Sequence, residues 1–393
     1  MQNKTFIYLF FGFLTIASLF TSCKKDPVVL AETLECDAFA SNTTLINHKD
    51  RPVDYIIDCE MEATADIVIE AGVVIEFSQN AGIEIEDGGS LKIEGNADEI
   101  VTLTGVDEDK GSWKGLLFDS NNTNNQLKFV DISYAGGGAF NSNNDEGSII
   151  VWADAKLSME SVNVKNSAAY GLNATYVNSE ITMNNCTFRT CDNAPIMVLP
   201  AYIGFMNATN SYSGNAKNYV KVEINTDEIK TDMTIEALDV PYRITSNNTF
   251  FEHLVIAEGT TTINTDVVME FEDGTGLYVD DDGGLSVQSS GQVTFTGVTK
   301  TAGAWKGLYF QFTQKSNLLD NVLIEYAGSD YEGTNQAIGM WSDPKLALSN
   351  VTFKDIQGCA IIDYNNTSDD PNPNYTATNN MLVSVSDGEM CFL

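Results

Sequence analysis

Aspartate clusters are the first residues of this sequence that could do chemistry. Asp280, Asp281 and Asp282 precede two glycines, and Asp266 closes an Asn-Thr-Asp tripeptide upstream of them. Carboxylate oxygens beside a glycine turn suit Ca²⁺, so Asp280, Asp281 and Asp282 are the candidate calcium ligands. Paired carboxylates are also the residues of general acid–base chemistry, and Asp266 and Asp281 lie in the same stretch of sequence. The simpler interpretation is a solvated acidic turn at residues 280–284, and a turn or the edge of a ladder for the tripeptide.

Basic partners for such a site are scarce. The chain has only two histidines and three arginines: His48, His253, Arg51, Arg189 and Arg243. Both histidines precede Asp266, and no G-x-S-x-G nucleophile turn occurs. The sequence therefore contains no complete catalytic constellation, and it favours a protein that is not an enzyme.

The charge of the chain excludes one class of partner. It has 55 acidic and 21 basic residues, a formal net charge of −34 at pH 7. No basic stripe can form, so we expect no nucleic-acid binding. Anionic membrane surfaces are equally unfavourable partners.

The N-terminus has the pattern of an export signal. Lys4 precedes an apolar run over residues 6–20, and small residues lead to Cys23. Residues 1–22 therefore read as a signal peptide, and the end of the run resembles the lipobox of bacterial lipoproteins, which implies lipidation of Cys23. An ordinary signal peptide or an uncleaved anchor is the alternative. Residues 23–50 would then be a linker and an N-terminal cap.

Six further cysteines fit an exported chain. They are Cys36, Cys59, Cys186, Cys191, Cys359 and Cys391. Proximity in sequence suggests the pairs Cys36–Cys59, Cys186–Cys191 and Cys359–Cys391, although buried free thiols are the alternative. No pair has zinc-ligand spacing.

The elements that must position these residues are duplicated. GSWKGLLF at 111–118 recurs as GAWKGLYF at 303–310, and residues 73–95 match 267–289 at nearly the same offset. A near-constant offset over so long a stretch indicates an internal duplication. We predict a first block at 51–205, connecting coils at 206–240 and a second block at 241–393.

Within each block, short runs have an apolar residue at every second position. Examples are IVIEAG, GIEIE and VTLTG, and Gly, Asn, Asp or Ser separates the runs. This period predicts half-buried strands, and no helical period is present, so the fold is all-β. Short, evenly spaced strands and Asn-rich turns at 121–125 and 141–144 favour a solenoid over a sandwich, barrel or propeller.

The combined pattern LxIExGxxIxF, WKGLxF and YAG carries a family resemblance. It occurs at 67–77, 113–118 and 134–136 and recurs in the second block. It resembles the right-handed parallel β-helix of the pectate-lyase-like superfamily and, more narrowly, the β-helical lipoproteins of Bacteroidota. Enzymes of that superfamily act on acidic polysaccharides with Ca²⁺-binding carboxylates or paired aspartates. Polygalacturonase-type sites have an Asn-Thr-Asp tripeptide and a later Asp-Asp pair, so the resemblance makes Asp266 and Asp281 the catalytic candidates. The Gly-His-Gly and Arg-x-Lys motifs that would accompany them are missing here.

The resemblance and the composition together give a functional expectation. We expect an outer-membrane lipoprotein, facing the periplasm or the cell exterior, that is a binding or structural module for glycans or proteins. It would touch the membrane only through its lipid anchor and would be a monomer. A Ca²⁺-dependent polysaccharide lyase or glycoside hydrolase is the alternative.

The duplicated strand also predicts which side chains face inwards. Leu116 and Phe118 match Leu308 and Phe310, whereas Leu117 becomes Tyr309. The first set should point into the core, and the changed position should be outward. Tyrosines could form a stacking face for sugars: Tyr170, Tyr176, Tyr202, Tyr212, Tyr309, Tyr326 and Tyr331.

Overall fold

The computed structural model describes residues 29–140, 146–247 and 250–393. The predicted signal peptide and the predicted lipidation site Cys23 lie outside the described residues, as does the Asn-rich turn at 141–144.

The described chain contains 32 strands and two short 3-10 helices. Strands β1 to β10 span Glu32–Thr33, Thr43–Leu45, Tyr55–Ile57, Glu60–Ala63, Asp66–Glu70, Val74–Phe77, Gly82–Ile85, Ser90–Glu94, Val101–Gly105 and Leu116–Phe118. Strands β11 to β20 span Gln126–Ser133, Ile149–Val151, Lys156–Lys165, Leu172–Ala174, Glu180–Asn184, Thr187–Arg189, Ile196–Val198, Val220–Ile224, Met233–Ile235 and Tyr242–Ser246. Strands β21 to β32 span His253–Ile263, Val268–Phe271, Gly276–Gly297, Gly307–Gln311, Asn317–Glu325, Gln336–Trp341, Leu346–Ser349, Thr352–Ile356, Cys359–Asp363, Tyr375–Thr378, Met381–Val385 and Met390–Phe392. The cap helix is Ala38–Ala40 and the joint helix is Pro200–Phe205.

The strands stack as a parallel solenoid of about 12 turns. Strand β5 pairs in parallel with β8, and β8 with β11, so each strand lies on its counterpart one coil earlier. The all-β solenoid that the sequence predicts is confirmed, whereas its right-handed sense stays a prediction.

The alternating sequence explains the core. In β5, Ile67 and Ile69 are fully buried, while Asp66 and Glu70 are exposed. Successive side chains of a strand point to opposite faces, so each coil contributes an inward apolar set to one continuous core along the solenoid.

The Trp-Lys-Gly elements, residues 113–115 and 305–307, make the same contacts in both blocks. Trp113 stacks on Phe77 at a centroid distance of 4.0 Å, and Trp305 stacks on Phe271 at 4.3 Å. Each indole Nε1 donates to a backbone carbonyl, of Ser133 at 2.8 Å and of Glu325 at 2.9 Å. The repeated motif is therefore a core element.

The glycine of each element is required by a close approach of the next coil. Gly115 and Gly307 have φ of 118° and 104°. A Cβ on Gly307 would lie 2.4 Å from the carbonyl oxygen of Ala337. Any side chain would thus both strain the backbone and push the coils apart.

Buried asparagines hold the corners at matching positions. The Asn125 side-chain oxygen accepts from the Leu91 amide at 3.0 Å, and Asn317 accepts from the Leu285 amide at 2.7 Å. Both asparagines are almost fully buried. Each satisfies backbone groups of neighbouring coils that the corner would otherwise leave without partners.

Disulfides fasten both ends of the solenoid. Cys36 bonds Cys59, and Cys359 bonds Cys391. At the N-terminal end, the cap helix inserts the fully buried Phe39 into the end of the core.

The third expected pair, Cys186–Cys191, is wrong because both residues are free, buried thiols. They lie at opposite ends of the extended strand β16, whose length exceeds the Cα separation of about 7 Å that a disulfide can bridge. Their thiols point to different carbonyl oxygens, of Asn184 and Arg189. Burial raises the pKa of Cys191 to about 12 and also raises that of Cys186.

One ladder of strands, which we call the spine ladder, runs through both blocks. It contains β4, β7, β10, β12, β14, β17, β18, β20 and β22, and continues through parts of β23 and β25 to β28 and β31. Another side is interrupted by the joint helix, where Gly204 faces Met233.

The duplicated segments lie on different sides of the solenoid. The first copy, β10, belongs to the spine ladder. Its counterpart β24 belongs to a second ladder with β21, β23, β26, β29 and β32, which begins at the bridge between Ile229 and Ile256. We call this second ladder the aromatic ladder. Matching residues of the two blocks therefore face different directions.

Replacing Phe310 by Ala should lower the free energy of unfolding by about 3–5 kcal/mol, because it leaves a cavity in a closed core. Phe310 is fully buried, as is its counterpart Phe118. Asp282→Ala is the control, and at an exposed corner it should change stability by only about 0.5 kcal/mol. Urea melts followed by circular dichroism measure both, and equal losses would contradict the inward assignment of Phe310.

Candidate functional site

The outer surface of the aromatic ladder carries the largest difference between the two blocks. Because the strands pair in register, Val255, Tyr278, Tyr309 and Gly339 form one row across successive coils. Their strand neighbours Leu277 and Leu308 point into the core. The row therefore faces away from the core.

Tyr309 faces outwards as the sequence predicts, but it is fully buried instead of exposed. Its ring lies against Gly339, where a Cβ would come within 2.7 Å of ring carbons. The ring of Tyr331 covers it at a centroid distance of 4.2 Å. Leu117, the matching residue of the first block, is also fully buried. The predicted exposure of Tyr309 was wrong because a loop covers its ring.

That cover is a tight hairpin in the loop between β25 and β26. Tyr331 and Thr334 exchange backbone hydrogen bonds of 2.9 and 3.0 Å. The two residues between them, Glu332 and Gly333, have φ of 52° and 82°, as a two-residue turn of this kind requires. The Thr334 hydroxyl also bonds the Tyr364 hydroxyl.

A partly exposed ion pair supports the hairpin, with the Lys306 side chain 10% and the Glu252 side chain 43% exposed. The Lys306 ammonium lies 2.7 Å from a Glu252 carboxylate oxygen and 5.2 Å from the centre of the Tyr331 ring. The first block has the same arrangement, in which Lys114 pairs with Glu60 beneath the Phe140 ring. Because both blocks keep it, this ion pair is part of the scaffold.

His253 lies among three tyrosine rings. Its centroid distances are 5.2 Å to Tyr331, 5.6 Å to Tyr309 and 6.0 Å to Tyr278. Burial, and then the nearby Lys306 ammonium, lower the pKa of His253 to about 4. Its Nε2 has no hydrogen-bond partner within the described residues. His253 is therefore a neutral packing residue at pH 7.

Four aromatic side chains of this surface remain half-buried: Tyr278, Tyr331, Trp341 and Tyr364. Trp341 and Tyr364 stack at a centroid distance of 4.4 Å, with 19° between their planes. We call these four residues the aromatic face. The first block has a counterpart of the stacked pair in Trp152 and Tyr176, at 5.3 Å and 50°.

The aromatic face shares only one residue with the tyrosines that the sequence suggested. Tyr331 belongs to it, whereas Tyr212 is inside the core, stacked on Phe188. Sequence reasoning missed Tyr278, Trp341 and Tyr364, because their alignment depends on strand register between coils. The only sequence feature that indicated an outward position for these residues was the alternation of apolar and polar residues within each strand.

Carboxylates surround the aromatic face. Burial, and then the charges of Asp280, Tyr331 and Asp281, raise the pKa of the Tyr278 phenol well above its usual value. Burial raises the pKa of the Tyr364 phenol to about 12, and the carboxylate of Glu332 contributes in the same direction. A ligand on this surface would therefore contact aromatic rings that are surrounded by carboxylates.

The predicted calcium ligands are not brought together. Asp280, Asp281 and Asp282 turn a corner within β23, and the carboxylates of Asp281 and Asp282 are exposed. Among the described residues, only Cys36, Asp58 and Cys59 place three potential ligand atoms within 4.8 Å of one another. Both cysteines of that group form a disulfide, so it offers no thiolate.

The predicted catalytic aspartates also lie apart. Asp266 sits in a turn with φ of 62°, and its carboxylate accepts from the Gln292 amide at 3.4 Å. Strand residues 258–263, which pair with 282–287, lie between the corners of Asp266 and Asp281. Six extended residues span about 20 Å, too far for two carboxylates to act on one glycosidic bond.

The first block has an acidic face where the second has an aromatic one. Glu62 and Glu84 occupy the outward row on the spine ladder, with Glu86 and Asp119 beside them. Burial, and then the charges of Glu86 and Glu60, raise the pKa of Glu84 to about 7. Glu84 occupies the place that Tyr278 has in the second block.

No protein-family model matches the chain, and no curated protein matches it either. Within the described residues, no helix is both long enough and apolar enough to cross a membrane. The two outward faces, acidic and aromatic, therefore carry the functional inference.

The neutral state of His253 predicts a pH dependence of stability. Its folded pKa of about 4 lies below the unfolded value of 6.5, so its contribution is present above pH 6.5 and is lost as the pH falls towards 4. Between pH 7 and pH 4.5 the wild type should lose about 2 kcal/mol relative to His253→Phe, which keeps a ring but cannot titrate. Urea melts of both proteins at each pH give this difference, and parallel pH profiles would contradict it.

Proposed function

We propose that the protein is an exported, lipid-anchored β-solenoid that binds glycans on its aromatic face. The observation that carries the proposal is the set of four half-buried aromatic residues on one outward sheet surface. The N-terminal pattern that ends at Cys23 supports export and attachment to the outer membrane, with the solenoid facing the periplasm or the cell exterior.

Aromatic rings suit sugars because a pyranose has an apolar C–H face and a polar edge. Stacked Trp341 and Tyr364 offer a flat apolar platform. The Tyr331 hydroxyl lies beside it, and so does the hydroxyl oxygen of Tyr278, whose O–H donates to Gln311 Oε1 and which can still accept a hydrogen bond. Binding sites for small ligands combine such apolar surfaces with a few placed polar groups. A protein partner is the second kind of ligand that such a surface would fit.

Contacts with the hairpin and with buried residues hold the side chains of the aromatic face in fixed positions. Tyr331 is held by the hairpin and packs on buried Tyr309, while Tyr364 bonds the hairpin through Thr334. Side chains that are already ordered lose little conformational entropy when a ligand binds. The arrangement therefore favours binding to a preformed surface.

The carboxylates around the aromatic face favour neutral glycans over acidic ones. Asp280, Asp281, Glu332 and Glu252 lie around the aromatic face, on a chain with a net charge of −34. Polyanionic chains such as pectin or alginate would meet repulsion there. We therefore propose neutral polysaccharides as the ligand class.

Trp341→Ala should weaken binding of a neutral polysaccharide by roughly 10-fold or more, because it removes half of the stacking platform. Affinity electrophoresis and isothermal titration calorimetry against xylan, mannan, β-glucan, pectin and alginate measure the effect and the charge preference. Trp152→Ala, which removes the matching Trp of the first block, is the control. Preferred binding of pectin, or equal losses in both variants, would contradict the assignment.

A glycoside hydrolase is the second candidate, and the acidic face of the first block is the observation that favours it. A carboxyl with a pKa of about 7 beside other carboxylates resembles the acid–base pair of such enzymes. Glu84 would be the general acid, with Asp119 or Glu86, whose pKa values burial also raises, as its partner.

This alternative predicts turnover that depends on Glu84. If it is correct, the protein releases reducing ends from a polysaccharide, and Glu84→Gln reduces the rate by about 100-fold or more. Adding Ca²⁺ and following unsaturated products tests a lyase in the same assay. Asp282→Asn is the control for a general loss of negative charge, and activity retained in Glu84→Gln would exclude this site.

A further inference from the structure

A row of four outward side chains crosses the aromatic ladder, one from each of four successive strands. Gln311 pairs with Trp341 across neighbouring strands, and Trp341 stacks on Tyr364 of the next strand. On the other side of Gln311, the register of β23 and β24 places Asp280 next in the row. All four side chains are half-buried, and the residue before each of them is buried. We call these four residues the mixed row.

The Gln311 side chain has free hydrogen-bond donors in the middle of the mixed row. Its Oε1 accepts a hydrogen bond from the Tyr278 hydroxyl, which fixes the orientation of the amide. Its Nε2 has no hydrogen-bond partner among the residues that the structure describes. A partly desolvated donor without a partner costs free energy that a ligand acceptor recovers. The Gln311 amide is therefore suited to bind a hydroxyl oxygen of a ligand.

The first block contains a matching row with a different charge. The duplication places Asp119 where the second block has Gln311, and Trp152 where it has Trp341. Asp119 and Trp152 also follow paired residues of neighbouring strands, as their counterparts do. The tryptophan is thus kept in both rows, whereas the amide is replaced by a carboxylate. Position 311 is where the second block gains hydrogen-bond donors and loses a negative charge.

The spacing of the mixed row fits one class of glycan. Neighbouring strands of a sheet lie about 4.8 Å apart, and this is also the step from one member of the row to the next. A pyranose in an extended β-1,4-linked chain advances the chain by a distance that is only slightly longer. Chains with β-1,3 or α-1,4 linkages curve instead, and a curved chain leaves a straight row after a few sugars.

We propose that the mixed row binds a straight β-1,4-linked neutral glycan that runs along the solenoid, with one sugar on each strand of the row. This inference rests on the proposed glycan-binding function and adds the linkage and the direction of the ligand. Trp341 and Tyr364 contact two of the sugars, and the Gln311 amide donates to a hydroxyl of the third. The free carboxylate oxygen of Asp280 accepts from a hydroxyl of the fourth, since its other oxygen accepts from the Asp281 amide at 2.9 Å.

Oligosaccharides of increasing length test the inference on residues 24–393, which lack the predicted signal peptide and lipidated cysteine. Isothermal titration calorimetry compares cello-, manno- and xylo-oligosaccharides of two to six sugars with laminari- and malto-oligosaccharides of the same lengths. Affinity for at least one β-1,4-linked series should rise up to four sugars and then stay constant. The curved chains should gain no affinity beyond two sugars.

Gln311→Met keeps the length of the side chain and removes its polar atoms. It should weaken binding of the β-1,4-linked tetrasaccharide by roughly 10-fold. Binding of the disaccharide should not change, because the disaccharide occupies only Trp341 and Tyr364. Gln126→Met is the matched control, since Gln126 lies on β11, which pairs with β8 and β13 on another side of the solenoid. A purely structural role of Gln311, in holding Tyr278, would instead weaken both lengths equally.

The outcomes separate this inference from the function on which it rests. A wild type that binds no glycan would contradict the proposed function and this inference together. Glycan binding that is equal for straight and curved chains, or that stops strengthening at two sugars, would overturn this inference alone. An equal loss of di- and tetrasaccharide binding in Gln311→Met would also overturn it.

Discussion

Parallel pairing of each strand with its counterpart one coil earlier is the constraint on which the rest of the structure depends. It places equivalent residues in rows, so that inward rows form the core and outward rows form surfaces. Phe77 and Phe271, the last residues of β6 and β22, stack on Trp113 and Trp305 inside this core. The aromatic face depends on the same register, because Tyr278 and Tyr309 lie on neighbouring coils.

The sequence predicts the interior better than the surface. The alternation in each strand identifies Leu308 and Phe310 as core residues, and the duplication identifies the Trp-Lys-Gly elements as scaffold. Two of the three suggested cysteine pairs are present, while Cys186 and Cys191 are held apart by an extended strand. These features depend on local pattern or short separations, which a sequence displays directly.

The surface depends on contacts that no local pattern displays. Tyr309 is buried because the hairpin around Glu332 and Gly333 folds over it. Trp341 and Tyr364 meet because β26 and β29 pair in one particular register. Asp266 and Asp281 look close in sequence, but they sit at different corners of the solenoid. Duplication has preserved the core while the outward rows diverged into an acidic face and an aromatic face.

The joint helix also sets the mechanical character of the solenoid. Across residues 200–205 one side has no strand pairing, whereas the spine ladder continues through β17 and β18. If the proposed lipid anchor tethers the solenoid at its N-terminus, its coils bear any pulling force in series. The coil that contains the joint helix has fewer interstrand hydrogen bonds to share that load, so it is the natural point of yielding. Under tension the solenoid would then bend or unfold first at this coil, while the two blocks on either side stay folded.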